Sequence, residues 1–177
     1  MVVVNDMLIP ALDSAGKLFE QGKIFLPQLI QTAGVAQAAF EVIKTTLIQR
    51  DAAPVSRGEV VLATVKGDIH DIGKNIVRVL LENYGYTVLD LGKDVPCQLV
   101  ADTAKEHNVK LVGLSALMTT TLGAMEETIQ LVKAACPDCK VVVGGAVLTA
   151  DYAEKIGADF YAKDAMETVA VAKQIVG

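Results

Sequence analysis

From Glu59 onward the chain repeats one pattern: a short apolar run rich in β-branched residues, then apolar residues at helical spacing. The runs are Val60–Val65, Thr87–Leu91, Leu111–Leu114, Val141–Val143 and Asp159–Tyr161. Strands that are apolar throughout, rather than at every second residue, are covered on both faces. Between them Ile76, Val77, Leu80, Leu81 and Tyr84 recur about one turn apart, as do Leu99, Val100 and Ala104, and later Ile129, Val132 and Lys133. This alternation predicts an α/β fold: a doubly wound, five-stranded parallel sheet, flavodoxin-like or Rossmann-like, with right-handed crossovers. Ligands of such sheets bind beyond the carboxyl ends of the strands, where strand order reverses. In the flavodoxin-like order the first and third strands flank that point, so a site is expected after Val65 and Leu114.

The first fifty residues read differently. Asp6–Glu20 and Pro27–Gln49 have the pattern of two amphipathic helices joined at Gln21-Gly22-Lys23, with Pro27 suited to a first helical turn. The predicted organisation is a partial helical cap over 1–50, a linker over 51–58 (Asp51–Arg57, with Ala52-Ala53-Pro54) and the α/β domain over 59–177. Two helices bury an apolar stripe poorly alone, so they must lie on the domain, a ligand or another chain. A net charge of -5 with no basic cluster argues against nucleic-acid and anionic-membrane partners. There is no apolar run of spanning length, and Met1-Val2-Val3-Val4 runs straight into Asn5-Asp6 without a basic leader; a cytoplasmic location is expected. Cys97, Cys136 and Cys139 are an odd number and predict no disulfide framework. Cys136-Pro137-Asp138-Cys139 has redox spacing, but lies at a predicted helix exit, where no helix N-terminus lowers a thiol pKa. It is read as structural.

The richest segment is Lys66-Gly67-Asp68-Ile69-His70-Asp71-Ile72-Gly73-Lys74, at the exit of the first strand. An imidazole between glycines there has open space to reach a metal, and Asp68 can take its other ring N–H, fixing the tautomer. Taken alone, the segment fits a turn histidine without a ligand equally well. The loop lacks the Gly-Lys-Ser/Thr ending of a phosphate-binding loop. After the third strand, Ser115 is expected to hydrogen-bond on the Asp68 side, and Thr119 to Thr121 either line a slot or supply a helix N-cap. Gly144-Gly145 after the fourth strand allow close backbone approach or positive φ. His107, at a predicted helix end, complements the helix dipole.

Together, Asp68/His70/Gly73, Ser115/Leu117 and Gly144/Gly145, in this order and at strand ends, resemble the cobalamin-binding domain family over nearly the whole chain. Within it the chain looks most similar to corrinoid proteins of methyltransferase systems and to the cobalamin module of methionine synthase. Leu18-Phe19-Glu20-Gln21-Gly22-Lys23-Ile24-Phe25-Leu26-Pro27-Gln28-Leu29 resembles the end of their helical cap, and Val65 to Asn75 resembles their ligand loop almost letter for letter. The resemblance implies cobalamin, with its dimethylbenzimidazole tail detached from cobalt and threaded into the α/β domain. His70 is then the lower axial ligand of cobalt, with Asp68 and Ser115 as its proton-linked partners. Asp71, Ile72, Gly73, Leu117, Thr119, Gly144 and Gly145 join them in cofactor binding, and Phe19 and Leu26 fall where the cap covers the upper corrin face. The implied function is a methyl carrier that alternates between methylcobalamin and the nucleophilic Co(I) form. It receives the methyl group from a substrate-specific methyltransferase and hands it to a second one, as a carrier component and not a complete enzyme. The alternative is the cobalamin-binding subunit of an adenosylcobalamin-dependent isomerase, against which the Phe25-Leu26-Pro27 segment would obstruct a bulky adenosyl group. The family's cap is a four-helix bundle, of which only about two helices are read here; self-association through Asp6–Gln49, as a homodimer, is the expectation that follows.

Overall fold

The computed structural model describes residues 3–48 and 56–177. Five strands form one parallel sheet: β1 (Glu59–Thr64), β2 (Thr87–Asp90), β3 (Leu111–Ser115), β4 (Lys140–Gly144) and β5 (Phe160–Tyr161). Their order is β2-β1-β3-β4-β5, so strand order reverses between β1 and β3, as the sequence predicts. Each predicted run lies on a strand, with boundaries moved by a residue or two: β3 extends to Ser115, paired with Thr64 of β1 and Gly144 of β4.

Helices α3 (Ile72–Asn83), α4 (Cys97–Glu106), α5 (Leu122–Ala135) and α6 (Ala150–Lys155) make the crossovers, and α7 (Ala165–Ile175) follows β5. Side chains alternate across β1, so two cores form. Val61 and Ala63 pack with Val100 of α4 and Met125 and Ile129 of α5 on one face. Val60 and Leu62 pack with Leu80 and Leu81 of α3 and Val169 of α7 on the other. Burial on both faces is what an all-apolar parallel strand requires.

The N-terminal part is helical as expected: a π-helical segment, Val3–Leu8, runs into α1 (Ile9–Glu20), and α2 spans Leu26–Ile48 with Pro27 in its first turn. Leu12, Ala15, Leu29 and Ala36 of these helices join the core of α3 and α7. Lys173 of α7 adds an ion pair with Asp13 of α1 and lies 4.3 Å from the Tyr84 ring centroid. α2 is not cleanly amphipathic, since Ile30 and Val35 stay exposed. The predicted linker falls, at 51–55, outside the described residues. Among the described residues no helix is long and apolar enough to cross a membrane.

Candidate functional site

The loop leaving β1 is held at both ends. Asp68 N–H donates to Val65 O at 3.0 Å, Gly67 N–H to Asp94 Oδ1 at 2.7 Å, and Asp94 N–H to Asp68 O at 2.9 Å. The loop is thus clamped to the chain that follows β2. At its far end, buried Lys74 in the first turn of α3 pairs with Asp90 at the end of β2, 2.5 Å away. Burial works against the charge on Asp90, but the Lys74 ammonium, Gly92 N–H and Arg78 hold its carboxyl below the usual carboxylate range.

Asp68 organises the centre. It is fully buried, and Oδ1 accepts from His70 N–H at 3.0 Å and His70 Nδ1 at 2.8 Å. Oδ2 accepts from Leu117 N–H at 2.7 Å, Met118 N–H at 3.1 Å and Thr121 Oγ1 at 3.2 Å. Burial alone would raise the pKa of this carboxyl. The donors outweigh it, the backbone N–H of His70 foremost, and hold the carboxyl well below the usual carboxylate range. An ionised carboxylate only accepts, so Nδ1 of His70 is the donor in this bond and Nε2 is the ring nitrogen not engaged by Asp68. The His70 side chain is 45% exposed, at a cleft of about 760 Å³. That cleft lies on the α3/α7 side of the sheet, lined by Leu62, Gly113, Val142, Ile76, Val77 and Thr168.

Most residues singled out in the sequence meet there. His70, Asp71, Ile72 and Gly73 line the cleft from the loop, Ser115 and Leu117 from the end of β3, and Gly144 and Gly145 from the end of β4. Phe19 and Leu26 reach the same cleft from the helical part. Asp68 stands behind His70, outside the lining, and Thr119 is also outside it. The expected link between Ser115 and Asp68 is corrected: Ser115 Oγ pairs with Thr64 Oγ1 at 2.9 Å, and the hydroxyl on Asp68 is that of Thr121. Nor do the threonines cap α5 with a side chain; they form a single 3₁₀ turn, in which Thr121 Oγ1 is also 2.8 Å from Met118 O. Thr64 is therefore the residue the sequence reading missed, and for Thr121 it missed the partner, Asp68. The run of three threonines was a signal, but only the turn from Met118 to Thr121 decides which one meets the carboxylate.

Gly144 and Gly145 serve the protein's own packing. A Cβ on Gly145, at φ +139°, would sit 1.9 Å from Ala116 O, and one on Gly144 would sit 3.0 Å from Ala162 O. Cys136 and Cys139 are buried and free, at the turn between α5 and β4; burial pushes the Cys139 thiol up to about 12, as a structural role requires. His107 caps the end of α4, and its Nδ1 lies 3.1 Å from Glu59 Oε2.

Among the described residues no group of three or more His, Cys, Asp or Glu is placed to hold a metal ion. One imidazole whose other ring nitrogen is held by a carboxylate fits a metal that arrives with its own equatorial donors, as cobalt does in a corrin ring of four nitrogens. Ile69, Ile72 and Leu117 are exposed around His70, an apolar rim suited to a macrocycle, while the cleft suits an elongated tail. A flavodoxin-like sheet offering one imidazole and an apolar slot at its switch point defines the class: a binding domain for a macrocycle-held metal.

Comparison with known proteins makes the class specific. The family described as B12 binding domain matches residues 58–170, and a second family of the same description matches residues 1–44. Dimethylamine corrinoid protein 1 of Methanosarcina acetivorans is 42% identical over 176 residues, 98% of this chain and 82% of that protein. Trimethylamine corrinoid protein 1 of the same organism is 40% identical over 167 residues, 93% of this chain and 77% of that protein. The methanol:cobalamin methyltransferase complex MtaBC of Methanosarcina barkeri aligns with a TM-score of 0.84 and 31% identity, over 99% of this chain and 67% of the matched chain. A cobalamin-binding protein of Desulfitobacterium hafniense aligns with a TM-score of 0.79 and 36% identity, over 94% and 78%. The chain belongs to the B12-binding domain family, and cobalamin with its cobalt is its cofactor.

Proposed function

We propose that this chain is the methyl-carrying corrinoid protein of a methylamine-type methyltransferase system, working between two partner methyltransferases. The observation that carries the reading is the Asp68 carboxylate, which holds the proton on Nδ1 of His70 and leaves Nε2 able to bind a metal at the mouth of an apolar cleft. The corrinoid relatives, two of them serving dimethylamine and trimethylamine, favour it over the isomerase alternative.

When bound, the cobalt corrinoid supplies the centre that takes up and gives away the methyl group. His70 would hold that centre through Nε2. The buried Asp68, hydrogen-bonded to Nδ1, would orient the imidazole toward that centre, raise the basicity of Nε2 and stabilise positive charge on the ring. Thr121, by hydrogen-bonding Oδ2, adjusts how strongly the carboxylate draws on Nδ1. Ile69, Ile72 and Leu117 exclude water from one side of the centre, and Phe19 and Leu26 bring apolar cover from the helical part. Asp71, Gly73, Thr119, Gly144 and Gly145 belong to the proposed binding surface, Thr119 from the turn beside the cleft.

As such a carrier the protein works in the cytoplasm, is built as helical part, linker and α/β domain, and pairs with a second copy through α1 and α2, where Ile30 and Val35 are exposed. Sedimentation at tens of micromolar tests the pairing: a dimer is expected, and a clean monomer removes it. Reconstitution tests the function. The chain should take up hydroxocobalamin with a visible-spectrum change and, once reduced, accept methyl from a dimethylamine or trimethylamine methyltransferase in the presence of that amine. A chain that stays colourless, or is methylated only with methanol and its methyltransferase, contradicts the proposal.

A further inference from the structure

We infer that Asp94 is a positioning residue for His70: its carboxylate locks the turn that carries Asp68, so the imidazole stands ready before cobalt arrives and cobalamin binds more tightly. The inference rests on the corrinoid reading above and extends it to a residue outside the cleft.

The turn leaving β1 is short and draws on support from another part of the chain. Asp68 N–H reaches back to Val65 O at 3.0 Å, and Gly67 within the turn lies at φ +84°. A four-residue turn closed in this way uses the first carbonyl and the last N–H, and leaves the middle N–H groups to be satisfied elsewhere. Gly67 N–H finds Asp94 Oδ1 at 2.7 Å. Asp94 in turn donates its own N–H to Asp68 O at 2.9 Å. The main chain of Asp68 is therefore fixed on both sides, by Val65 O and by Asp94 N–H, while its side chain turns inward to His70, Leu117, Met118 and Thr121. Among the described residues, Asp94 supplies the only side chain that hydrogen-bonds the main chain of Lys66 to Asp68.

Asp94 is itself firmly mounted. The next residue, Val95, is buried, donates its N–H to Thr64 O at 3.1 Å and bridges Val65 in parallel. Asp94 lies at φ +53°, a left-handed conformation that Asp and Asn adopt more readily than other side chains. Position 94 thus asks for a residue at ease in that conformation that also carries an acceptor close to its backbone. Asp and Asn meet both conditions, and Gly meets only the first. Asp94 is exposed, lies outside the cleft lining and makes no hydrogen bond to His70. Its effect on cobalt passes through Asp68. An imidazole already in place spares the cost of ordering it on binding, which is the physical route from Asp94 to affinity.

The test is a double-mutant cycle on the full chain, with hydroxocobalamin as the probe and absorbance titration giving Kd. Asp94→Gly keeps the left-handed backbone and removes the acceptor, whereas Asp94→Asn keeps both; since Asp94 is exposed, both changes leave the two cores intact. With His70 present, Asp94→Gly is expected to weaken binding by about tenfold, the size of one hydrogen bond, and Asp94→Asn to stay within about threefold of wild type. In the His70→Ala background, which has no imidazole to position, Asp94→Gly is expected to change binding by less than about twofold. A loss of the same size in both backgrounds would mean that Asp94 only supports the fold, and no loss with His70 present would mean that the turn needs no brace. Either result overturns the inference and leaves the corrinoid reading standing. Should His70→Ala bind too weakly to titrate, the cofactor-free chain decides: Asp94→Gly is expected to speed amide exchange at Asp68 and His70 while β1 and β3 stay protected, and unchanged exchange there overturns the inference. A wild type that does not bind hydroxocobalamin, or binds it no more tightly than His70→Ala does, overturns the reading and the inference with it.

Discussion

Asp68 receives five hydrogen bonds on one buried carboxylate, and the chemistry of His70 depends on it. Replacing it with Asn keeps the shape but turns one acceptor into an NH₂ facing the N–H groups of Leu117 and Met118. Asp68→Asn is therefore expected to destabilise the fold by about 1–3 kcal/mol, measured by urea unfolding at pH 7. The pH dependence has a definite sign. Because the native carboxyl titrates below its unfolded value of about 3.9, its stabilisation is complete above that value and fades as pH falls from there toward the native pKa. Wild type should lose stability on acidification in that window, and the Asn variant should show a flatter curve; parallel curves contradict the assigned network. The thiols give a second check. With Cys139 pushed up to about 12 by burial, the native protein at pH 8 should react slowly with a thiol reagent at Cys136 and Cys139 and quickly once unfolded. Rapid native labelling would reopen the redox reading.

At the scale of elements, the strand ends bring the site together. His70 leaves β1, Ser115 ends β3 and Gly144 ends β4, one beside the next across the carboxyl edge of the sheet. The crossing of β3 and β4 chains at Gly145 is close enough that Gly145→Ala must move Ala116 as well as adopt a backbone conformation that L side chains avoid. A loss of about 2 kcal/mol or more is expected, measured by chemical denaturation, with cobalamin affinity falling alongside. The sheet and the loop were legible in the sequence because each follows a local rule: apolar runs make covered strands, and Asp-X-His places a carboxylate beside an imidazole two residues on. What the sequence hid was set by contact across the sheet. From the sequence Ser115 could be paired with Asp68 across the loop, and only the assembled sheet, which sets it opposite Thr64, decides its hydroxyl partner. Thr121 reaches Asp68 through a 3₁₀ turn that three consecutive threonines do not announce. The glycine pair was legible as a site of close approach, but the partner is the protein's own backbone.

For the whole molecule, the packing of α1 and α2 on α3 and α7 joins the helical part to the face of the sheet that carries the cleft. Lys173 links the two through Asp13 and Tyr84, so Lys173→Ala is expected to loosen the helical part, with faster amide exchange in α1 and little change in β1 and β3. Uniform protection would contradict that linkage. The proposed dimer belongs to the same scale, since it would cover the apolar side chains that α2 leaves outside. The most direct measurement concerns the bond on which the proposed carrier function depends, from Nε2 of His70 to cobalt. The chain loaded with cobalamin and reduced by one electron should show, by electron paramagnetic resonance, splitting from a single axial nitrogen. Labelling the protein with ¹⁵N-histidine should turn each three-line pattern into a two-line one, and His70→Ala should abolish it. A splitting untouched by the histidine label would mean that the nitrogen below cobalt comes from the cofactor's own tail, and would contradict the assignment.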